Sequence, residues 1–205
     1  MTGHPETERR IREAAFRALV EHGYADLSMT DIGDELGQNP SLIYHYFDSK
    51  DDLLLSMLEV FVELFMDGQA EREFDDPTEE LRAFVDQILH PEPMHAERIV
   101  SGPPSETEAA VSRLFVELWG HAQWDPDFRE KTTAVESRLH ETLAETIRNG
   151  IEREHFRPVD PELTADHILF VLKQGVHTHT TTNRDDAIDR AETLIDEIID
   201  DISRA

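Results

Sequence analysis

The sequence predicts an all-α fold of about nine helices, and three features lead to this expectation. Apolar residues recur at intervals of three and four along most of the chain, which is the period of a helix with one buried face. Clusters of Gly, Pro and Asp interrupt that pattern at short intervals and mark turns between helices. No stretch shows the strict alternation of a β-strand, and no internal repeat is present.

The chain is strongly acidic. It has 45 Asp and Glu residues against 19 Lys and Arg, so its formal net charge is −26. Such a charge repels itself at ordinary ionic strength, whereas at 1 M salt the Debye length falls to about 3 Å and the repulsion is screened. The regular apolar spacing argues against a disordered acidic chain. We therefore expect a protein of the haloarchaeal type, adapted to concentrated salt.

Composition and length exclude several classes of protein. No apolar run approaches the length of a membrane span, and the first ten residues lack the apolar stretch of a signal peptide. The chain has no cysteine, which excludes disulfides, thiolate metal ligands and a cysteine nucleophile. We expect a cytoplasmic protein with no membrane partner, whose 205 residues form a small domain and a larger one.

Capping signals place three helices and the start of a fourth in the first fifty residues. Ser28 and Asp31 predict a capped second helix that stops near Gly37. Asn39 is a good N-cap and Pro40 suits the first helical position, so a third helix follows after a turn of two or three residues. Two short helices joined by a tight turn, with a helix on either side, form a helix-turn-helix.

The third helix of this motif is the one that enters the major groove of DNA. Ile43 and Phe47 are one turn apart and should face Ile32 and Leu36 of the second helix. The residues left nearer the exposed side offer a hydroxyl, a phenol and an imidazole to bases or phosphates, and they are Ser41, Leu42, Tyr44 and His45.

The remainder of the chain also reads as helical. A proline-rich segment, residues 90–105, is the best candidate for a long loop. Apolar periodicity and flanking breakers predict helices over residues 78–89, 106–124, 127–155, 162–180 and 185–203.

The stretch from Ile11 to Leu54 resembles the TetR family of regulators. The residues that carry the resemblance are the turn glycine, Gly37, and a run that matches the family's LYxYFxxKxxL pattern, Ile43-Tyr44-His45-Tyr46-Phe47-Asp48-Ser49-Lys50-Asp51-Asp52-Leu53. A generic helix-turn-helix does not carry Tyr-x-Tyr-Phe-x-x-Lys at this place, so the match is specific.

The resemblance implies a three-helix DNA-binding domain over residues 1–50 and a helical effector-binding and dimerisation domain over 51–205, with the helix that begins at 50 connecting them. It implies that Ser28 caps the second helix close to a phosphate, that Tyr44 and His45 meet the DNA backbone, and that Lys50 presents its ammonium to a phosphate. The expected DNA-binding residues are Ser28, Thr30, Gln38, Asn39, Pro40, Ser41, Leu42, Tyr44, His45 and Lys50.

The sequence departs from the family pattern in the third helix. Pro40-Ser41 stands where many relatives have Lys-Gly, Gln38 replaces a small apolar residue, and the helix carries no Lys or Arg. A bidentate arginine contact to guanine is therefore unavailable there. Residues 1–50 nevertheless carry only −4 of the net charge of −26.

The C-terminal part resembles the ligand-binding module of some family members, through the segment Leu114–Trp119 and the break at Asp125-Pro126. The module implies a homodimer and an effector pocket. The expected pocket walls are Phe115, Leu118, Trp119, Leu139, Leu143, His167, Phe170, Val171 and Gln174. The expected dimer contacts are Leu172, Gly175, Val176, Ile188, Ala191, Ile195, Ile198 and Ile202. Plain core packing remains the alternative for Phe115 and Trp119, and a satisfied core histidine for His167.

We therefore expect a ligand-responsive repressor that binds a palindromic double-stranded DNA operator as a homodimer and is released by an unknown small-molecule effector. No nucleophile motif or phosphate loop is present, so we expect no enzyme activity and no cofactor. The histidines lack a recognised ligand spacing, and no metal site is expected. The alternative is an acidic helical protein of the same fold that acts through a protein partner.

Overall fold

A computed structural model describes residues 4–70, 72, 74–90 and 104–204, and these residues form nine helices and no strand. The predicted all-α fold is thus confirmed. The helices are α1 His4–Asp26, α2 Met29–Leu36, α3 Pro40–Ile43, α4 Lys50–Ala70, α5 Pro77–Leu89, α6 Pro104–His121, α7 Pro126–Glu152, α8 Pro161–Thr181 and α9 Ala187–Ile202. Most of the expected loop over 90–105 lies outside the described residues.

The described residues divide into two compact units. The first is drawn from Met1–Phe65 and Glu92–Phe128, and the second from Met66–Pro91 and Arg129–Ala205. The first unit therefore contains α1, α2, α3, most of α4 and α6, while the second contains α5, α8, α9 and most of α7.

In the first unit, α1 contacts α2 and α6, and α2 contacts α3. Apolar periodicity explains this core, since Ile11, Ile32 and Ile43 are completely buried and Phe47 is nearly so. Leu36 is only half-buried, so the contact expected between α2 and α3 depends mainly on Ile32. This packing sets the angle of α3 to α2.

The backbone of α1 is interrupted near its end. Gly23 has φ +72° and ψ +166°, a non-helical conformation that separates the long helix from its last residues. The carbonyl of Gly23 accepts a hydrogen bond from Leu27 N at 3.1 Å, which leads the chain into the cap of α2. Gly23 therefore introduces a kink near the end of α1 and does not end the helix.

In the second unit, α9 lies along α8 and also contacts α5. A Cβ placed on Gly175 of α8 would be 2.4 Å from the Cβ of Ala191 on α9, so the two helices meet where both residues are small. The end of the chain is held as well, because Arg157 N donates to Ile202 O and Arg204 N donates to His155 O, each at 2.8 Å. These two bonds hold the C-terminal end of α9 against residues 155–157, which follow α7.

No helix within the described ranges is both long and apolar enough to cross a membrane.

Candidate nucleic-acid interface

The start of α2 is held by a reciprocal cap. Asp31 N donates to Ser28 Oγ at 3.3 Å, and Ser28 N donates to the Asp31 carboxylate at 2.8 Å. Hydrogen bonds from the Ser28 hydroxyl and from its backbone amide lower the pKa of Asp31. The predicted Ser-x-x-Asp cap is present, and it fixes the first turn of α2, in which Thr30 is exposed.

The turn between α2 and α3 requires two glycines for different reasons. Gly37 has φ +67°, and its amide and that of Gln38 return to the Asp34 and Gly33 carbonyls at 3.1 and 2.9 Å. A Cβ on Gly33 would lie 2.9 Å from Gln38 O and 3.1 Å from the ring of Pro40. Sequence reasoning missed Gly33, although a glycine inside a short amphipathic helix is the signal of such a close approach.

The recognition segment, residues 39–47, begins with a capped turn and continues beyond α3. Ser41 N donates to Asn39 Oδ1 at 2.9 Å, as expected for an N-cap. After Ile43, the amides of Tyr44 and Phe47 donate to Pro40 O and Ile43 O at 3.1 and 3.0 Å. These bonds extend a helical turn through Phe47 and hold the side chains between them in a defined arrangement.

The structure places the ten expected DNA-binding residues on or near the surface of one unit. Tyr44 is 55% exposed, which is high for a large aromatic residue. Pro40, Leu42 and Lys50 are half-buried. The exposed members of the group are Ser28, Thr30, Gln38, Asn39, Ser41, Tyr44 and His45.

Lys50 is engaged within its own chain. Its Nζ donates to the carbonyl of Tyr24 at 2.8 Å and lies 4.5 Å from the centre of the Tyr24 ring. The Tyr24 hydroxyl in turn donates to Asp51 Oδ1 at 2.9 Å, and burial together with this carboxylate raises the pKa of Tyr24. The ammonium at the start of α4 thus stabilises the end of α1 even without a phosphate nearby.

The same corner of the first unit includes the end of α6. The His121 ring lies 4.6 Å from the Tyr24 ring and 5.5 Å from the Phe128 ring, measured between centroids. Through Tyr24, the ends of α1 and α6 and the start of α4 therefore share one contact point.

Most of the basic charge of α1 is paired with acids. Arg12 also donates to Ser56 Oγ at 3.0 Å and lies over the Phe47 ring. Arg10 is exposed and forms no ion pair with any described residue. The pairs are Arg9 with Glu6 and Glu13, Arg12 with Glu8, and Arg17 with Glu35.

Three of the expected pocket residues lie in the first unit, all on α6. Leu118 is completely buried, whereas Phe115 and Trp119 are half-buried. The rings of Phe115 and Trp119 are 5.6 Å apart and tilted by 33°. They form an aromatic pair one helical turn apart, as their spacing predicts.

The other six expected pocket residues lie in the second unit. Leu143 is buried, and Leu139 and Val171 are half-buried. Gln174 donates from Nε2 to Thr178 Oγ1 at 2.8 Å. The members on the exposed side of α8 are His167, Phe170 and Gln174.

The eight expected dimer contacts fall into two groups. Val176, Ile188 and Ile198 are half-buried and keep surface that a second subunit could cover. The others are buried in the single chain, where α8 and α9 meet, and have no surface to offer; they are Leu172, Gly175, Ala191, Ile195 and Ile202. The large apolar residues left exposed on these two helices are Leu163, Phe170 and Leu194.

Two family models match the chain. The model of bacterial regulatory proteins of the tetR family matches residues 11–57, and the model of the C-terminal region of BetI-type transcriptional repressors matches residues 77–204. Among curated proteins, the HTH-type transcriptional regulator BetI of Brucella anthropi is 26% identical over 152 residues, which cover 73% of this chain and 72% of that protein.

Solved structures extend the similarity to almost the whole chain. A TetR transcription regulator from Haloarcula marismortui matches with a TM-score of 0.83 and 25% identity, covering 98% of this chain and 100% of that one. A putative transcriptional regulator from Saccharomonospora viridis, in complex with choline, matches with a TM-score of 0.81 and 26% identity over the same shares of the two chains.

Proposed function

We propose that this chain, which belongs to the TetR family of transcriptional regulators, is a homodimeric repressor that a small-molecule effector releases from its operator. DNA-binding regulation is shared with its relatives; repression, dimerisation and release are the proposal. The proposal also includes a domain boundary near residue 50 and a location in a salt-rich cytoplasm. The net charge of −26 and the similarity to the Haloarcula marismortui protein support the salt-rich setting.

The proposal that this chain binds specific DNA sequences rests on the exposed face of the recognition segment. The Tyr44 hydroxyl has no hydrogen-bond partner among the described residues, and more than half of the side chain's surface is accessible. Together with Ser41 and His45 it presents hydroxyl and imidazole groups to one side of a segment that two caps hold in place. Such groups can bond to phosphates or base edges without a net positive charge.

A choline-type quaternary ammonium cation is the proposed effector class. The similar structure from Saccharomonospora viridis contains choline, and the C-terminal region here is of the BetI type. Quaternary ammonium groups bind to aromatic faces, and the contacting rings of Phe115 and Trp119, 5.6 Å apart between centroids, are the aromatic surface proposed for this contact. For the expected pocket residues of the second unit, including His167 and Gln174, a role in effector binding stays a prediction from the resemblance.

The contact at Tyr24 offers a route from that aromatic pair to the DNA-binding helices. Phe115 and Trp119 lie on α6, whose last residue, His121, contacts Tyr24. Tyr24 holds both Asp51 and Lys50 at the start of α4. A cation bound against α6 would favour one position of this helix end, and only its differential affinity for the two states shifts the population.

A second copy of the chain is proposed to cover the apolar residues that α8 and α9 leave exposed. Phe170 is 59% exposed and Leu163 lies two turns before it on the same face of α8. Leu194, which is 50% exposed, and the half-buried Ile198 are one turn apart on α9, at the edge of the stripe that is buried in the single chain. Exposed apolar residues that lie on one helix face, as Leu163 and Phe170 do, are typical of protein–protein contact surfaces.

Selection from a random duplex library by the purified protein in molar potassium chloride tests DNA readout. We expect a palindromic site, and about thirtyfold weaker binding to it by Tyr44→Phe, because the dimer loses one hydrogen bond of about 1 kcal/mol in each subunit. Gln123→Ala, an exposed change outside the recognition segment, is the control. If an intact dimer enriches no sequence, the function is partner binding, which the paired arginines and the absence of Lys and Arg from α3 would then explain.

A calorimetric titration of the protein with choline tests the proposed effector class. We expect Trp119→Leu to weaken binding at least tenfold, whereas Trp124→Leu, which changes a Trp that is 85% exposed, leaves it unchanged. Operator affinity that choline does not alter would disprove release by this class of ligand.

A further inference from the structure

Where α5 and α9 contact each other in the second unit, some carboxylates pair with a described arginine and others do not. Arg82 of α5 donates to Asp196 at 3.2 Å and to Asp200 at 2.6 Å, so two α9 carboxylates share one guanidinium. One turn further along α5 stands Asp86, and one turn back along α9 stands Glu192. Neither forms an ion pair with a Lys or Arg within the described ranges.

An imidazole occupies the place of that missing cation. His90 follows α5, and its amide donates to the carbonyl of Asp86 at 2.7 Å, which keeps the two residues one turn apart on the same side. His90 Nε2 lies 3.9 Å from Glu192 Oε2. One ligand atom from each of Asp86, His90 and Glu192 lies within 4.8 Å of the other two.

We propose that Asp86, His90 and Glu192 form a binding site for a divalent first-row transition-metal ion. The ligands are one nitrogen and two carboxylate oxygens, a set that Zn²⁺ and its neighbours accept. The distances between ligand atoms exceed those around a bound ion, but all three side chains are exposed and can close by rotation about their own bonds. Water completes the coordination, because the protein supplies three ligands.

Charge favours a divalent cation at this position. Two carboxylates that face each other without Lys or Arg repel, and a chain with a net charge of −26 attracts cations in general. A metal ion would compensate Asp86 and Glu192 as Arg82 compensates Asp196 and Asp200. It would also join α5 to α9. Its ligand Glu192 directly follows Ala191, which is buried against Gly175 of α8.

A second group of one histidine and two carboxylates shows that such residues form a metal site only if their ligand atoms point to one position. His140 lies between Glu162 and Asp166, but Glu162 approaches its Nδ1 at 3.7 Å and Asp166 approaches its Nε2 at 3.4 Å. The two nitrogens of an imidazole point in different directions, so no single ion can meet all three groups as they stand. His140 therefore serves as a matched control.

The test is a calorimetric titration of the full-length, chelator-treated protein with ZnCl₂ in 1 M KCl and excess Mg²⁺, which saturates nonspecific carboxylate binding. We expect one Zn²⁺ per chain at the tightest site. His90→Gln and Glu192→Gln should each raise the Kd for that site at least tenfold, because each removes a direct ligand, whereas His140→Gln should leave the Kd unchanged.

Thermal unfolding supplies an independent measurement. Zn²⁺ should raise the Tm of the wild type and of His140→Gln, since an ion that binds only the folded chain stabilises it. The Tm of His90→Gln and of Glu192→Gln should respond much less. Equal zinc affinity in wild type and His90→Gln, or loss of the site in His140→Gln instead, would overturn the proposal.

Discussion

Lys50 anchors the end of α1 to the start of α4 through Tyr24. Its Nζ donates to the Tyr24 carbonyl at 2.8 Å and lies 4.5 Å above the ring of the same residue. The ammonium stands near the first turn of α4, where a cation is electrostatically unfavourable, and the carbonyl and ring offset this cost. A lysine for which the family resemblance implies a phosphate contact therefore also has a structural role.

Replacing Lys50 by Met should destabilise the protein in the absence of DNA. The change removes a charge-assisted hydrogen bond at a half-buried position, and we expect a loss of about 1 kcal/mol in the free energy of unfolding. Urea denaturation in molar salt measures it. Arg10→Met removes an exposed cation of α1 that pairs with no described residue, and it should change the stability by less than about 0.5 kcal/mol. Equal effects of the two substitutions would contradict the anchor.

The affinity for an operator should depend only weakly on salt. Three of the four arginines of α1 pair with acids of the same chain, which leaves Arg10 and Lys50 as the cations available to phosphates in each subunit. Four phosphate contacts per dimer would give a slope of log K against log salt of about −4. Fluorescence anisotropy over a range of KCl concentrations measures this slope. A value near −8 would mean that the arginine pairs open on DNA.

Gly175 should tolerate no side chain. Its neighbour across the helix contact is Ala191, whose Cβ would lie 2.4 Å from an added Cβ. Gly175→Ala should cost about 2 kcal/mol in stability, because α8 and α9 must separate. Gly120→Ala, at a helical position with nothing within 4 Å, should instead stabilise by between about 0.5 and 1 kcal/mol. Thermal melts of the two variants distinguish close packing from a general intolerance of alanine.

Asp76 should make stability depend on pH in acid. The Thr78 amide donates to its carboxylate at 2.8 Å, and this bond, with His155 nearby, lowers the pKa of Asp76. A lowered pKa means that the stabilisation is complete above the unfolded value, about 3.9, and is lost as the pH falls through the folded value. Asp76→Asn retains an acceptor for Thr78 but does not titrate.

Urea midpoints at pH 6 and pH 3 should therefore differ more in the wild type than in Asp76→Asn, after any shift common to both is subtracted. The advantage of the wild type should be largest at pH 6. An advantage that grows toward pH 3 would have the wrong sign for a carboxylate whose pKa is lowered.

The number and limits of most helices and the position of the helix-turn-helix could be predicted from the sequence alone. These features depend on interactions within a few residues: the apolar period, the Ser28 cap, the Asn39-Pro40 start and the glycine at residue 37. Such signals act locally and can be read without knowing what the helix packs against.

The partners of side chains that meet across long sequence separations could not be predicted, because they depend on how the helices pack. Arg17 pairs with Glu35, Lys50 with Tyr24, and His90 approaches Glu192, across separations that no helical period encodes. The same limit applies to the apolar stripe of α9. Its periodicity identifies Ile195 as apolar and inward-facing, but burial against α8 of the same chain, rather than against a second subunit, follows from how the helices pack. Periodicity reports that a face is buried, and packing alone selects the surface that buries it.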